Sequence, residues 1–91
     1  MRMVEKKLKL VNKLGLHARA AAKLVQLGET FKSEIKITKD NVEANGKSIL
    51  SVLLLAAPVG TELSFTVQGT DEEEAMTAIA SLIARKFDEG E

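Results

Sequence analysis

The chain carries a single histidine, His17, and the residues around it suit phosphate chemistry. The segment reads Gly15-Leu16-His17-Ala18-Arg19-Ala20-Ala21-Ala22. Gly15 permits a tight turn, and the alanines that follow begin a helix. His17 therefore stands at or next to a helix N-terminus. There the backbone N–H groups lack intrahelical partners and a partial positive charge collects, which favours an anion such as phosphate. Histidine changes charge near neutral pH, and its neutral ring offers a nucleophilic nitrogen. The positive helix end is expected to favour that neutral ring. Arg19 can reach back over the ring to offset negative charge, while Ala18, Ala20 and Ala21 leave the helix end uncrowded. Together these residues can carry a phosphoryl group. An ordinary histidine at a turn is the plainer alternative, and it needs none of these neighbours.

Composition narrows the remaining classes. With 91 residues the chain is expected to form a single domain, 1–91, with a modest core. Thirteen basic residues balance thirteen acidic ones, so no net charge draws the chain to nucleic acid or to an anionic membrane. Three phenylalanines are the only aromatics, too few for base-stacking platforms. A small RNA-binding α/β domain is disfavoured on both grounds. No cysteine is present, which excludes disulfides and thiolate chemistry, and with one histidine a zinc site is not expected. Neither a metal nor a cofactor is expected. The first residues lack the apolar core of a signal peptide, and the longest apolar run, Val52 to Val59, is too short to span a bilayer. The reading is a cytoplasmic protein without membrane insertion.

Periodicity supplies the elements that must position His17. Lys6 to Val11 alternates as a strand with one wet face. Ala18 to Leu27 is helical, with Ala21, Leu24 and Val25 on one side, and Gly28 is expected to stop it. Ser33–Lys39 and Val42–Ala44 alternate around the turn residues Asp40-Asn41, as a hairpin. Ser48 to Ala57 reads as a helix of two to three turns ended by Pro58. Thr61 to Gln68 alternates, with Leu63, Phe65 and Val67 on one face. Thr70-Asp71-Glu72-Glu73 fits a capping box, opening a helix expected to run to about Phe87. The order is β-α-β-β-α-β-α. Alternation in every strand implies a four-stranded, mainly antiparallel sheet with one solvated face and three helices on the other. The fold class is thus α/β (α+β), an open-faced two-layer sandwich.

The segment Asn12-Lys13-Leu14-Gly15-Leu16-His17-Ala18-Arg19 resembles the active-site signature of the HPr family. These are the histidine-containing phosphocarriers of the bacterial phosphoenolpyruvate-dependent phosphotransferase system. Chain length, element order, Asn45-Gly46-Lys47-Ser48 and Gly60-Thr61-Glu62-Leu63 fit the same family. The resemblance implies that His17 is phosphorylated on Nδ1 and that Arg19 partners the phosphoryl group. It implies a carrier without turnover of its own, charged by Enzyme I and discharged to EIIA components in sugar uptake. One position departs: the family usually has proline after this arginine, and here stands Ala20. Asn12-Lys13-Leu14-Gly15, Glu72-Glu73-Glu74-Ala75 and Phe87-Asp88-Glu89 lean toward NPr, the nitrogen-related variant. Gly46-Lys47-Ser48 leans toward a serine-regulated HPr. Both variants stay open, as does an unphosphorylated interaction module on the same fold.

Ser48 is by itself a good helix N-cap. The resemblance adds that it matches the regulatory serine of HPr kinase/phosphorylase, a role compatible with capping. The apolar helix behind it has too many apolar sides for a two-layer domain to bury. Ile49, Leu50 and Leu53 are assigned to the partner face and Val52 and Leu55 to the core. Ala18 and Ala22 of the first helix complete the partner surface that the resemblance implies. Asp71 to Glu74 is read as helix capping rather than metal binding, and Asp88-Glu89-Gly90-Glu91 as a solvated tail.

Overall fold

The computed structural model describes residues 3–89. Strand β1 (Val4–Lys9) leads to helix α1 (Ala18–Glu29), then strands β2 (Glu34–Lys39) and β3 (Val42–Asn45). Helix α2 (Ile49–Leu53), strand β4 (Glu62–Gln68), helix α3 (Glu72–Ala84) and a terminal turn (Lys86–Asp88) complete the order. Among the described residues the strands form one four-stranded sheet, β1-β4-β2-β3, with every pairing antiparallel. The expected open-faced sandwich is thus the observed one.

Register explains why one face is wet. Val4, Lys6 and Leu8 lie opposite Val67, Phe65 and Leu63, and Ile35 and Ile37 lie opposite Val67 and Phe65. These rows point at the helices, and Ile37, Leu63, Phe65 and Val67 are fully buried. Their neighbours, among them Lys7, Lys36, Ser64 and Thr66, share the opposite face, where a one-residue slip would exchange the two sets. The edge strand β1 carries Lys6, Lys7 and Lys9, charges that discourage edge-to-edge pairing. Helices α1 and α3 close the core through Ala20, Ala21, Leu24 and Val25, and through Met76, Ile79, Leu82 and Ile83.

Five local expectations are corrected. Gly28 does not stop α1, which runs to Glu29 with Thr30 as its cap. Gly28 is buried instead, and a Cβ there would come within 3.0 Å of Ile35 Cδ1, so its smallness serves packing. Helix α2 spans five residues rather than two to three turns. Ala56, not Pro58, turns the chain, with a left-handed φ of 49°. The capping box does not form: α3 begins at Glu72 with Asp71 as its N-cap residue, and Asp71 makes no side-chain cap bond. Its carboxylate instead accepts from the Lys32 and Ser33 N–H groups and the Ser33 hydroxyl, while Glu72 accepts from Gly69 N–H at 3.1 Å. Finally, α3 stops at Ala84, and Phe87 is reached through the separate turn.

Candidate functional site

The loop before α1 is held from both sides. Asn12 is fully buried; its carbonyl accepts from Gly15 N–H at 3.1 Å and its Nδ2 donates to Gly15 O at 2.7 Å. Gly15 has φ 67°, and a Cβ there would sit 2.5 Å from Ala57 O and 2.8 Å from Pro58 Cα. Those are backbone atoms that cannot step aside, so this position requires glycine. Leu16 N–H then donates to Ala57 O at 2.8 Å, and the Leu16 side chain is buried. With Leu16 below and Ala20 and Ala21 fully buried behind, the backbone of His17 has little freedom.

His17 is the N-cap residue of α1, with extended backbone (φ −79°, ψ 179°). Its carbonyl accepts from Ala21 N–H at 2.8 Å. That is the first intrahelical bond, so the N–H groups of Ala18, Arg19 and Ala20 have no helical partner. The imidazole does not cap the helix. Nε2 faces the carboxylate of Glu89, Oε2, and Nδ1 has no partner among the described residues. The ring is partly exposed, at 28% for its side chain.

Glu89 reaches the ring because the C-terminal turn is built into the fold. Lys86, Phe87 and Asp88 have left-handed φ values of 60°, 55° and 62°. For L-residues that conformation costs roughly 1–2 kcal/mol each. Phe87 is fully buried in the core, which contributes roughly 1.5–3 kcal/mol for a side chain of this size. The Phe87 carbonyl also accepts from Lys23 Nζ of α1 at 2.7 Å. Arg85 Nε donates to Asp88 Oδ1 at 3.0 Å, and this contact holds the Asp88 carboxyl below the usual carboxylate range. Glu89 Oε1 also accepts from Asn12 Nδ2 at 3.1 Å. The expected solvated tail is therefore corrected: the Glu89 side chain is only 12% exposed. Gly90 and Glu91 lie outside the described residues.

The candidate residues fall into two groups. His17, Ala18 and Arg19 border one shallow depression with Leu14, Lys23, Asp88 and Glu89. Arg19 is exposed and forms no ion pair among the described residues. Ala22 lies half-buried one turn further along α1. The second group sits on α2, which packs against α1. Ser48 is its N-cap, and its hydroxyl accepts from Ser51 N–H at 3.3 Å. Ile49 and Leu50 are exposed at 42% and 69%, while Val52 and Leu55 are buried. Leu53 is partly buried against the core rather than turned outward, and Leu54, at 71%, takes the outward place. Leu54 keeps helical backbone (φ −67°, ψ −13°) and its N–H donates to Leu50 O at 3.1 Å, so it stands one turn beyond exposed Leu50 on the same side.

Asn12, Lys23, Leu54 and Glu89 were not foreseen as site residues. Asn12 stood in the signature segment without a role of its own, and Glu89 lies 72 residues from His17 with no local pattern to connect them.

Comparison with known proteins agrees with this architecture. A family model described as the PTS HPr component phosphorylation site matches residues 4–85. The phosphocarrier protein HPr of Cupriavidus necator is 45% identical over 89 residues, covering 98% of this chain and 100% of that protein. The phosphocarrier protein NPr of Shewanella violacea is 39% identical over 89 residues, covering 98% of each. The crystal structure of an HPr from Thermoanaerobacter tengcongensis superposes with a TM-score of 0.91 at 42% identity, covering 94% of this chain and 97% of that one. Family match, near-complete coverage and shared fold together place this chain in the HPr family of phosphocarrier proteins of the phosphotransferase system.

Proposed function

We propose that His17 accepts a phosphoryl group on Nδ1 from Enzyme I and passes it to EIIA components serving sugar uptake, in the cytoplasm. One observation carries the assignment. The ring nitrogen Nε2 is engaged by Glu89, while Nδ1 has no partner among the described residues, beside a helix start with three N–H groups free of helical partners. Nucleophilic attack needs a ring nitrogen with its lone pair available. The phosphoryl oxygens, once attached, have donors and a positive helix end beside them. Arg19 adds an exposed positive charge to the same depression. Exposed contacts of this kind offset phosphate charge without burying the group, so a partner can remove it. The chain has no turnover of its own in this scheme.

Ile49 and Leu50, with Ala18 and Ala22, form the docking surface for Enzyme I and EIIA components, and exposed Leu54 extends it. Ser48 is the site at which an HPr kinase/phosphorylase would act. A nitrogen-related role of the NPr type is the second reading, supported by the 39% identical relative of that name. Transfer separates these readings. The chain is incubated with Enzyme I and labelled phosphoenolpyruvate, then with EIIA proteins of the sugar branch and of the nitrogen branch. Label moving to the sugar-branch protein supports the first reading, and movement only to the nitrogen-branch protein supports the second. A chain that takes no label is an unphosphorylated interaction module.

A further inference from the structure

The C-terminal turn spends three left-handed residues and a buried phenylalanine on delivering one carboxylate to the His17 ring. Strained backbone of this kind persists where surrounding contacts over-determine it, and it gathers at functional sites. Here the determinants are Phe87 in the core, Lys23 on the Phe87 carbonyl at 2.7 Å and Asn12 on Glu89 at 3.1 Å. The Glu89 carboxylate meets Nε2 and leaves Nδ1 without a partner among the described residues.

We propose that Glu89 is a positioning residue for phosphoryl transfer: its carboxylate keeps the ring proton on Nε2 and the lone pair on Nδ1. The proposal rests on His17 being the phosphoryl acceptor. In the forward step the Nδ1 lone pair forms the bond to phosphorus, the donor's bond to phosphorus breaks, and that electron pair stays on the donor. The ring keeps its Nε2 proton and gains a formal positive charge, which the Glu89 carboxylate offsets at hydrogen-bond distance. In the onward step the N–P bond breaks and its electron pair returns to Nδ1. Because Nε2 is still protonated, the leaving group is a neutral imidazole rather than an imidazolate. Neither step takes up or releases a proton. One carboxylate thus serves acceptance and release alike, as a carrier requires.

The full chain and its Glu89→Gln and Glu89→Ala variants decide the matter by two readouts. Proton–nitrogen NMR of the free protein reads the ring. A downfield N–H resonance correlated to Nε2 is expected in the wild type, because a proton held by a buried acceptor exchanges slowly. Glu89→Gln retains an amide carbonyl as acceptor and keeps the resonance, whereas Glu89→Ala loses it. The rate of phosphoryl acceptance from Enzyme I is expected to fall roughly tenfold in Glu89→Ala, the scale of one charge-assisted hydrogen bond, and less in Glu89→Gln. A wild-type ring without an Nε2–H resonance overturns the proposal. So does a Glu89→Ala chain that is labelled at the wild-type rate, or faster; faster labelling makes Glu89 an occluding latch instead. Failure of the acceptor reading looks different, since the wild-type chain itself would then carry no label on His17.

Discussion

Ser48 joins a structural role to a proposed regulatory one, and two substitutions pull them apart. Its hydroxyl caps α2 by accepting from Ser51 N–H at 3.3 Å, long for an N–H···O bond. Ser48→Ala removes the acceptor, and the cost belongs at the low end of the usual cap value, about 0.5–1 kcal/mol. In a domain of this size that lowers the thermal midpoint by roughly 2–8 °C. Ser48→Asp keeps an oxygen at the cap position, so its midpoint stays within a few degrees of wild type. The two changes rank the other way in function. Aspartate sets a charge beside Ile49 and Leu50, which are 42% and 69% exposed on the proposed docking face. An apolar partner surface must then desolvate that charge, a penalty that like charge on the incoming donor increases. Ser48→Asp is therefore expected to slow phosphoryl acceptance from Enzyme I by about tenfold, equivalent to about 1.4 kcal/mol, and Ser48→Ala to leave it unchanged. Phosphoserine, with about two charges, slows it further. Thermal melts and initial rates of labelling give both numbers on the same samples. A Ser48→Asp chain labelled at the wild-type rate, with phosphoserine protein equally fast, would reduce Ser48 to a cap and refute the regulatory reasoning.

Arg19→Ala is expected to leave the melting temperature unchanged, since the side chain is exposed and without an ion pair among the described residues, while slowing transfer roughly tenfold or more through loss of a charge-assisted contact; an unaltered rate removes Arg19 from the site. Ala20→Pro removes an N–H that has no helical partner and is expected to stabilise the domain by about 0.4–1 kcal/mol in denaturant unfolding. A loss instead would mean that the ring's added carbons collide beneath α1, where Ala20 is fully buried. The Asp71 carboxyl is held below the usual carboxylate range, first by the Ser33 hydroxyl and then by the Lys32 N–H. A lowered folded pKa contributes stability that is complete above the ordinary carboxylate value and is lost as pH falls through the folded one. Asp71→Asn is accordingly expected to lower the melting temperature by a few degrees at neutral pH and to make little difference near pH ~2; an equal difference at both pH values would refute the linkage.

What was legible in the sequence depended on local signals. Alternation in Ser33–Lys39 and Thr61–Gln68 reported the buried rows of β2 and β4, because a two-residue period maps directly onto a two-sided sheet. The Gly15–Arg19 spacing located the turn and the start of α1 for the same reason: glycine, cap and helix formers act within a few residues of one another. Errors fell where tertiary contacts overrode local preference. Gly28 has the residue type of a helix stop, yet the close approach of Ile35 gives it a packing role. Asp71 has the type of a cap, but Ser33 and the loop before it claim its oxygens. The apolar run from Ile49 to Leu55 is apolar on every side and does not itself separate Leu53 from Leu54; in the fold Leu54 stands one turn beyond exposed Leu50, and Leu53 packs against the core. The Glu89 contact had no local signal, because left-handed backbone at Lys86 to Asp88 is not marked by glycine or asparagine but held by tertiary contacts: Phe87 in the core, Lys23 on the Phe87 carbonyl and Asn12 on Glu89.

Site-resolved mass spectrometry of the labelled chain tests whether His17 is the phosphoryl acceptor. The protein is charged by Enzyme I and phosphoenolpyruvate, digested without acid exposure, and mapped. An acid-labile, base-stable phosphate on the peptide containing His17, absent from His17→Ala under the same conditions, is the expected result. Equal labelling of the wild-type and His17→Ala chains, or phosphate mapped to any other residue, would contradict it.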